Sequence, residues 1–536
     1  MVYGESINKS HCNASIELWS CYYTTIYHQV GCCLLICFYK PKIESHMMME
    51  YLSLDVNHYA TVIMAGVAAL LAVIYLRNKR DNLPPGPFAF PIVGHLPQII
   101  LSGSVVNFCQ KYKKIYGDVF TMRMGGYPRV VISGYDAMHQ LLIASADHTS
   151  SRAITFTKYI KSRSERGLFF AHPSDWKAIR TFSLLTLRDR GMGRAAFEPE
   201  IVEEIEKYIE HYIEPSAGKP LDMYSNLPKA TANVVSQLLF AKRFDYEDEA
   251  FTAITDVLNS AINGGLKFRM LTNLPLIGNI FPSVRKQRRN FLGIAMPVIK
   301  KCIEERKQQL DTNNPQCLVD QYLLSSDEMK FLTAENAAQL CFQLYAAGTE
   351  TTSTTLRWAL LYLCKNTDVL EKVQKEIDDN VGQRSTTYKD HLNMPYTDAV
   401  LTETQRLSNI VNSSLPHNAE KDIYVGGKLI PAESDLLMNM ASVLYDPEVF
   451  EEPEKFKPER YLTGDITLKK KKTIPFGIGR RACLGESLAK VELFLFFVNF
   501  LQKYNIHLPE GSKVTTEPVV SVISAPKSYG IIFTPR

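Results

Sequence analysis

Between Tyr59 and Leu76 the chain reads YATVIMAGVAALLAVIYL, eighteen residues without a charge. Such a stretch must be buried, in a protein core or in lipid. As a helix rising about 1.5 Å per residue it reaches roughly 27 Å, enough for a thin bilayer such as that of the endoplasmic reticulum. Arg77, Lys79 and Arg80 follow at once, while Glu50 and Asp55 precede. Cations on the C-terminal side predict a single-pass anchor with the rest of the chain in the cytosol. A buried core helix is the competing reading, against which the basic flank and the proline-rich sequel both count. A cleaved signal peptide would lie nearer the N-terminus.

Ahead of the anchor, residues 1–56 form an extension without helical or strand periodicity, whose place in the native protein is left open. It carries two glycosylation sequons, Asn8-Lys9-Ser10 and Asn13-Ala14-Ser15, and ends near Met47-Met48-Met49. That triplet predicts that translation of at least one form begins there, which N-terminal sequencing would test. Five of the eleven cysteines (Cys12, Cys21, Cys32, Cys33, Cys37) lie in this extension, and the other six are scattered without a CxxC pair. That pattern argues against a zinc site and against a disulfide framework in the body, which reads as reduced. Residues 57–80 are then the anchor with its basic flank, and 81–91 a hinge stiffened by Leu83-Pro84-Pro85-Gly86-Pro87. Residues 92–536 are then expected to form the main domain.

A net charge of +4 in 536 residues is weak, and no basic stripe interleaved with aromatics accompanies it, so nucleic acid is not an expected partner. Apolar residues make up 46%, enough for a substantial core. Helical spacing of apolar residues recurs in Ile201–Ile213, Phe291–Leu310, Ala334–Cys364, Val369–Val381 and Ser487–Tyr504. Asp118–Met124 and Arg129–Ser133 flank Gly125-Gly126-Tyr127-Pro128 as a hairpin, and short strands are expected near Ile423–Ile430 and Gly530–Thr534. The fold class is mainly α with small β-sheets, α+β.

Three constellations carry chemistry. The first is PFGIGRRACLGE (Pro475–Glu486), which feeds a long apolar helix. A cysteine at a helix N-terminus meets free N–H groups and the positive end of the dipole, and Arg480 and Arg481 are expected to favour its thiolate further. Gly477, Gly479 and Gly485 allow the backbone to approach something flat. Gly477-x-Gly479-x-x-Ala482 also fits a loose dinucleotide fingerprint, but that needs a buried strand before it, and Lys469–Lys472 read as a loop. A core cysteine or a cysteine nucleophile are the other readings.

The second is Ala347-Gly348-Thr349-Glu350-Thr351-Thr352, where hydroxyl residues crowd an otherwise apolar helix. They can bond back to carbonyls four residues earlier, and with Gly348 they can open a groove in the helix wall. The third is Glu403-Thr404-Gln405-Arg406, whose charges share one helix face.

Phe476-x-x-Gly479-x-Arg481-x-Cys483-x-Gly485 resembles the haem-binding loop of the cytochrome P-450 family, with nothing missing. The resemblance runs from about Leu83 to Arg536. It is closest to the microsomal, animal-type branch in Phe182–Gly193, Ala347–Leu363 and Glu486–Phe500. It implies the cytochrome P-450 fold behind the transmembrane helix, and Cys483 as axial ligand to the iron of haem b. Phe476, Gly479 and Gly485 then belong to the binding loop. Trp176 and Arg180 match the family's WxxxR, and with His417 and Arg481 they are the implied partners of the haem propionates; Arg166 is a further candidate.

Glu350 and Thr351 match the carboxylate–alcohol pair of the oxygen-binding helix. Dioxygen activation consumes protons, which such a pair can relay. Glu403 and Arg406 match the family's ExxR, with Arg460 as the third member. Gln343, where the branch often has Asp, and a short loop between Arg166 and Trp176 depart from the pattern and leave the substrate open.

The implied function is a monooxygenase of the endoplasmic reticulum membrane, acting on a lipophilic small molecule such as a fatty acid, steroid or xenobiotic. It would use O2 and electrons from NADPH delivered by NADPH–cytochrome P-450 reductase, with cytochrome b5 a further candidate donor and membrane lipid a contact. Lys469–Lys472 and Arg480 are expected to steer the acidic donor. Two alternatives stay open: a haem-thiolate isomerase or dehydratase acting on peroxides without a reductase, and a non-catalytic haem-binding membrane protein.

Overall fold

A computed structural model describes residues 58–73, 82–90, 93–125, 127–153, 167–216, 218–263, 282–325, 333–520 and 523–536. The chain divides into two units, Met1–Asp81 and Asn82–Arg536. In the first, residues 58–73 are helical, and Tyr59, Ile63, Met64, Leu71 and Val73 stand exposed on them. No helix among the described residues is long and apolar enough to cross a membrane. The charge-free stretch runs on to residue 76, but residues 74–81, with the basic flank, lie outside the described residues, as do the sequons and the Met47–Met49 triplet.

The second unit is mainly helical. Its principal helices are α1 (Val105–Tyr116), α2 (Pro173–Asp189), α3 (Glu198–Tyr208), α4 (Met223–Phe240), α5 (Glu249–Asn263) and α6 (Pro282–Gln308), followed by α7 (Leu318–Ser325), α8 (Ala334–Lys365), α9 (Thr367–Asn380), α10 (Pro395–Ser408), α11 (Ile466–Lys472) and α12 (Glu486–Lys503). Local chemistry starts several of them. Ser104 and Asp222 cap α1 and α4 with side-chain oxygens, Thr333 accepts from the Asn336 N–H at the head of α8, and α2 and α10 carry proline in the first turn.

α8 is the axis of the unit. Of its 32 residues nearly all from Thr352 to Leu363 are buried, the mark of a helix enclosed on all sides. It packs against α4 and α12, and α12 buries an almost unbroken run from Val491 to Leu501. At Gly348 a Cβ would lie 2.5 Å from Val235 Cγ2. Glycine there lets α4 close onto α8. The groove expected from its missing side chain is therefore filled by α4, and α8 runs unbroken through it.

The largest sheet contains β1 (Val119–Met124), β2 (Tyr127–Ile132), β3 (Ser151–Arg152), β4 (His417–Asn418) and β5 (Asp435–Met438), in the order β1-β2-β5-β4-β3. β1 and β2 form a hairpin as expected, but its turn is shorter: Tyr127 and Pro128, expected in the turn, already pair with Met124 and Arg123, and the ladder runs back to Val119 opposite Ile132. β2 runs parallel to β5, whereas β3 lies antiparallel to β4 and sets Arg152 opposite His417. Residues 84–86 lie along β1: Thr121 Oγ1 donates to the Pro84 carbonyl at 2.6 Å and Thr121 N to the Pro85 carbonyl at 3.0 Å.

Lys469–Lys472, expected on a loop, form the last turn of α11. Asp465 caps that helix, and Lys469 Nζ donates to the carbonyls of Arg460 and Thr463 at 3.0 and 2.9 Å.

Candidate haem-thiolate site

Cys483 lies two residues before the N-cap of α12, on a loop folded back on itself. Its N–H donates to the Phe476 carbonyl at 2.9 Å and the Ala482 N–H to Gly479 at 3.1 Å. Gly479 has φ +83°, and a Cβ there would lie 2.4 Å from the Leu142 carbonyl oxygen, so its glycine serves the packing of the loop on residues 140–144. Gly477 (φ +74°) and Gly485 face open space instead. The Cys483 residue is exposed, yet enough protein surrounds the sulfur for burial to act on its thiol.

Burial raises the Cys483 thiol above its ordinary pKa, while a hydrogen bond from the Gly485 N–H and the charge of Arg180 lower it. The cation that assists the sulfur is thus Arg180 of α2, not Arg480 or Arg481. Arg480 pairs with Asp147 at 2.5 Å on the surface. Arg481 points away, with Nε donating to Ser150 at 2.9 Å and Nη2 to Ala171 at 3.1 Å. Coordination to a metal removes the thiol proton outright, which completes what the protein alone leaves undone.

Around this loop gathers a cluster of cations. Arg180 Nη2 donates to the Ala482 carbonyl at 2.8 Å, and Arg481 lies over the Trp176 ring at 4.2 Å with Arg180 at 5.8 Å. Arg152 joins them, held by hydrogen bonds to the carbonyls of Phe169 and Leu415, each 3.0 Å. Burial first, and then mutual repulsion, lowers Arg481 to about 8 and Arg152 to about 10, and no acid is among the groups acting on either. His417 is fully neutral at physiological pH: burial, then Arg152, lowers it to about 3, and its Nδ1 bonds to the Thr149 carbonyl at 2.7 Å. Since a carbonyl only accepts, Nδ1 carries the proton and Nε2 is left as an acceptor; it becomes a donor once an anion stabilises the imidazolium.

Like charges gathered in a half-buried place call for an anion. Two guanidinium groups at Trp176 and a third, Arg152, acting on both, beside an accessible thiol on a glycine loop, fit a flat group that carries two carboxylates and a thiolate-binding iron. Haem is such a group. Of the expected residues, Phe476, Gly479, Arg481, Cys483, Gly485, Trp176, Arg180 and His417 all assemble here, while Arg166 lies outside the described residues. Arg152 was not legible in the sequence. Its only signal is a two-residue strand whose partner, β4, comes 265 residues later.

On α8, Leu344, Ala347, Gly348 and Thr351 form a partly open stripe in an otherwise largely buried stretch, with Ala346 also partly exposed and α4 closing over the Cβ position of Gly348. The expected back-bonding is present: Thr351 Oγ1 donates to the Ala347 carbonyl and Thr349 Oγ1 to Tyr345, both at 2.7 Å. Glu350 is fully buried, neither of its oxygens has a protein partner, and desolvation raises its pKa to about 7 despite Arg357. Two residues further on, Thr352 bonds to Glu492 of α12, a wholly buried carboxyl raised to about 8 by desolvation. This contact, invisible in the sequence, ties the oxygen-helix segment to the helix that follows the thiolate.

Beneath lies the ExxR triad. Arg406 Nε and Nη2 donate to the two Glu403 oxygens at 2.8 and 2.9 Å, and Arg460 Nε donates to Glu403 Oε1 at 3.0 Å, all three residues being buried. Arg406 Nη1 reaches the Leu444 carbonyl at 2.8 Å and Arg460 Nη1 that of Glu451 at 2.7 Å, so the triad pins loops to α10. Gln343 Oε1 accepts from the Phe169 N–H at 2.8 Å and fixes the chain entering α2.

Comparison with known proteins agrees with this geometry. The family model described as Cytochrome P450 matches residues 84–533. Cytochrome P450 2C26 of Mesocricetus auratus is 35% identical over 480 residues, covering 87% of this chain and 97% of its own. Cytochrome P450 2B2 of Rattus norvegicus is 36% identical over 470 residues (86% and 95%), and Cytochrome P450 2C39 of Mus musculus 36% over 493 residues (89% and 99%). Loop, cation cluster and similarity along nearly the whole second unit converge, and the chain belongs to the cytochrome P450 family of haem-thiolate monooxygenases, with haem b as its cofactor.

Proposed function

We propose that the protein inserts one oxygen atom of O2 into a lipophilic small molecule at the cytosolic face of the endoplasmic reticulum membrane, with NADPH electrons delivered by a separate reductase. The carrying observation is the accessible Cys483 sulfur beside a half-buried cation cluster that, among the described residues, has no acid acting on Arg152 or Arg481. Bound there, haem supplies the chemistry of dioxygen activation. The chain supplies the rest. Gly485 N–H and Arg180 stabilise negative charge on sulfur. Arg152, Arg180 and Arg481, with His417, would hold the haem carboxylates. Glu350 keeps a proton within reach near neutral pH, and the Thr351 hydroxyl, now donating to Ala347, passes it on by rotating toward the open side of the stripe.

The membrane reading rests on the uncharged stretch 59–76 and on the apolar side chains exposed along helix 58–73. With it goes the division into an extension (1–56), an anchor (57–80), a proline-rich hinge (81–91) and a catalytic domain (92–536). For the donor, Lys470–Lys472 remain the steering charges, since Lys469 is held by the Arg460 and Thr463 carbonyls. Cytochrome b5 is the second donor to test. A substrate screen by mass spectrometry with reconstituted reductase tests the function. Oxygenated product that requires NADPH is expected, and product formed without NADPH would favour peroxide isomerisation or dehydration instead.

A further inference from the structure

Glu350 and Arg357 lie seven residues apart on α8, so at about 100° per residue their directions differ by only about 20°. Helical side chains lean toward the N-terminus, which carries Arg357 back toward Glu350. Its Nη2 donates to Thr354 Oγ1 at 2.6 Å, setting the guanidinium about one turn above the carboxylate. Both residues are buried, at 1% and 0% exposure, and both Glu350 oxygens together with Arg357 Nε and Nη1 have no protein partner. Four unsatisfied polar atoms of opposite charge on one stripe cannot be left dry. A gap of roughly 6 Å, one helical turn, is the span of one or two waters.

We infer that Arg357 is a positioning residue for proton delivery, linked to the Glu350 carboxylate through bridging water and leading from it toward the 526–529 turn. The inference rests on the reading of Glu350 as proton relay. The stripe that bears Thr351 lies about a third of a turn away around α8, so supply and delivery use different faces. On the supply side Arg357 lines a tight surface cleft with Tyr224, Pro526, Lys527, Ser528 and Tyr529, too narrow to hold water as it stands, so supply along it needs the 526–529 turn to move. The guanidinium lies 4.8 Å from the Tyr224 ring, and at the mouth Ser528 Oγ donates to the exposed Asp222 carboxylate at 3.3 Å. The titratable groups acting here are Arg357 and Tyr345 on α8 for Glu350, and Tyr224, Tyr529 and Asp222 for Arg357. Among the described residues neither Glu350 oxygen has a protein hydrogen-bond partner, so the two groups do not meet directly.

Infrared spectra of the haem-loaded protein test the link, with the Glu350 carboxyl band assigned by its loss in Glu350→Gln. In Arg357→Gln the pH midpoint of that band should rise by about one unit or more, and Arg357→Lys should bring it back. Thr354→Val keeps the charge but releases its aim, and should raise the midpoint part of the way. An unmoved midpoint in haem-containing Arg357→Gln overturns the link; should that variant fail to take up haem, Thr354→Val decides in the same way. Product formed per NADPH should fall about tenfold in Arg357→Gln. A shifted midpoint with unchanged coupling overturns the positioning role. If Glu350→Gln itself couples as well as the parent, it is the relay reading that fails, and the infrared midpoint still decides the link.

Discussion

At Cys483 burial and hydrogen bonding oppose each other, and burial prevails until a metal is bound. Cys483→Ala should therefore yield a protein without the thiolate-type carbonyl spectrum and with turnover at background, and retained pigment and rate would refute the assignment. The neighbouring triad behaves otherwise, because it holds three desolvated charges with nearly every donor used. Arg460→Met leaves Glu403 buried with one partner fewer and should cost about 3–5 kcal/mol, read as a lower denaturation midpoint with poor haem retention. Replacing Glu403, Arg406 and Arg460 together by apolar residues of like volume should be milder than that single change, since no charge is then stranded.

Among the elements, the α4–α8 contact is the most sensitive to volume. Val235 Cγ2 occupies the space where a Cβ on residue 348 would stand. Gly348→Ala should destabilise by about 1–3 kcal/mol through overpacking, and Val235→Ala in the same chain should recover much of it; additive losses in chemical denaturation would refute the contact. α11 repays its lysines unequally. Neutralising Lys470, Lys471 and Lys472 should weaken reductase binding and flatten its dependence on salt, whereas Lys469→Gln should mainly loosen the Arg460 and Thr463 carbonyls it now satisfies.

For the molecule as a whole, the buried carboxyl of Glu492 makes stability depend on pH. Its folded pKa, about 8, lies above the ordinary value of 4.5. Between the two the folded state binds the extra proton, so its contribution is complete below about 4.5 and is lost as pH rises through about 8. The loss is up to about 5 kcal/mol. Glu492→Gln, neutral at every pH, should flatten the decline in the unfolding midpoint from pH 5 to 8, and an unchanged slope would show that Glu492 titrates normally. The sequence alone determined the long buried helices and the shared faces of the ExxR and WxxxR pairs, because the helical repeat converts spacings of a few residues directly into a face, while the haem loop and the roles of those pairs were legible through the family resemblance that their residues carry. Only the tertiary structure decided that Arg152 joins the cation cluster, that Arg180 rather than Arg481 assists the sulfur, that Glu492 meets Thr352, and that Gly348 admits α4. Those outcomes depend on which segments, far apart in the chain, pack within reach of one another, and burial then sets the charges of the groups brought together.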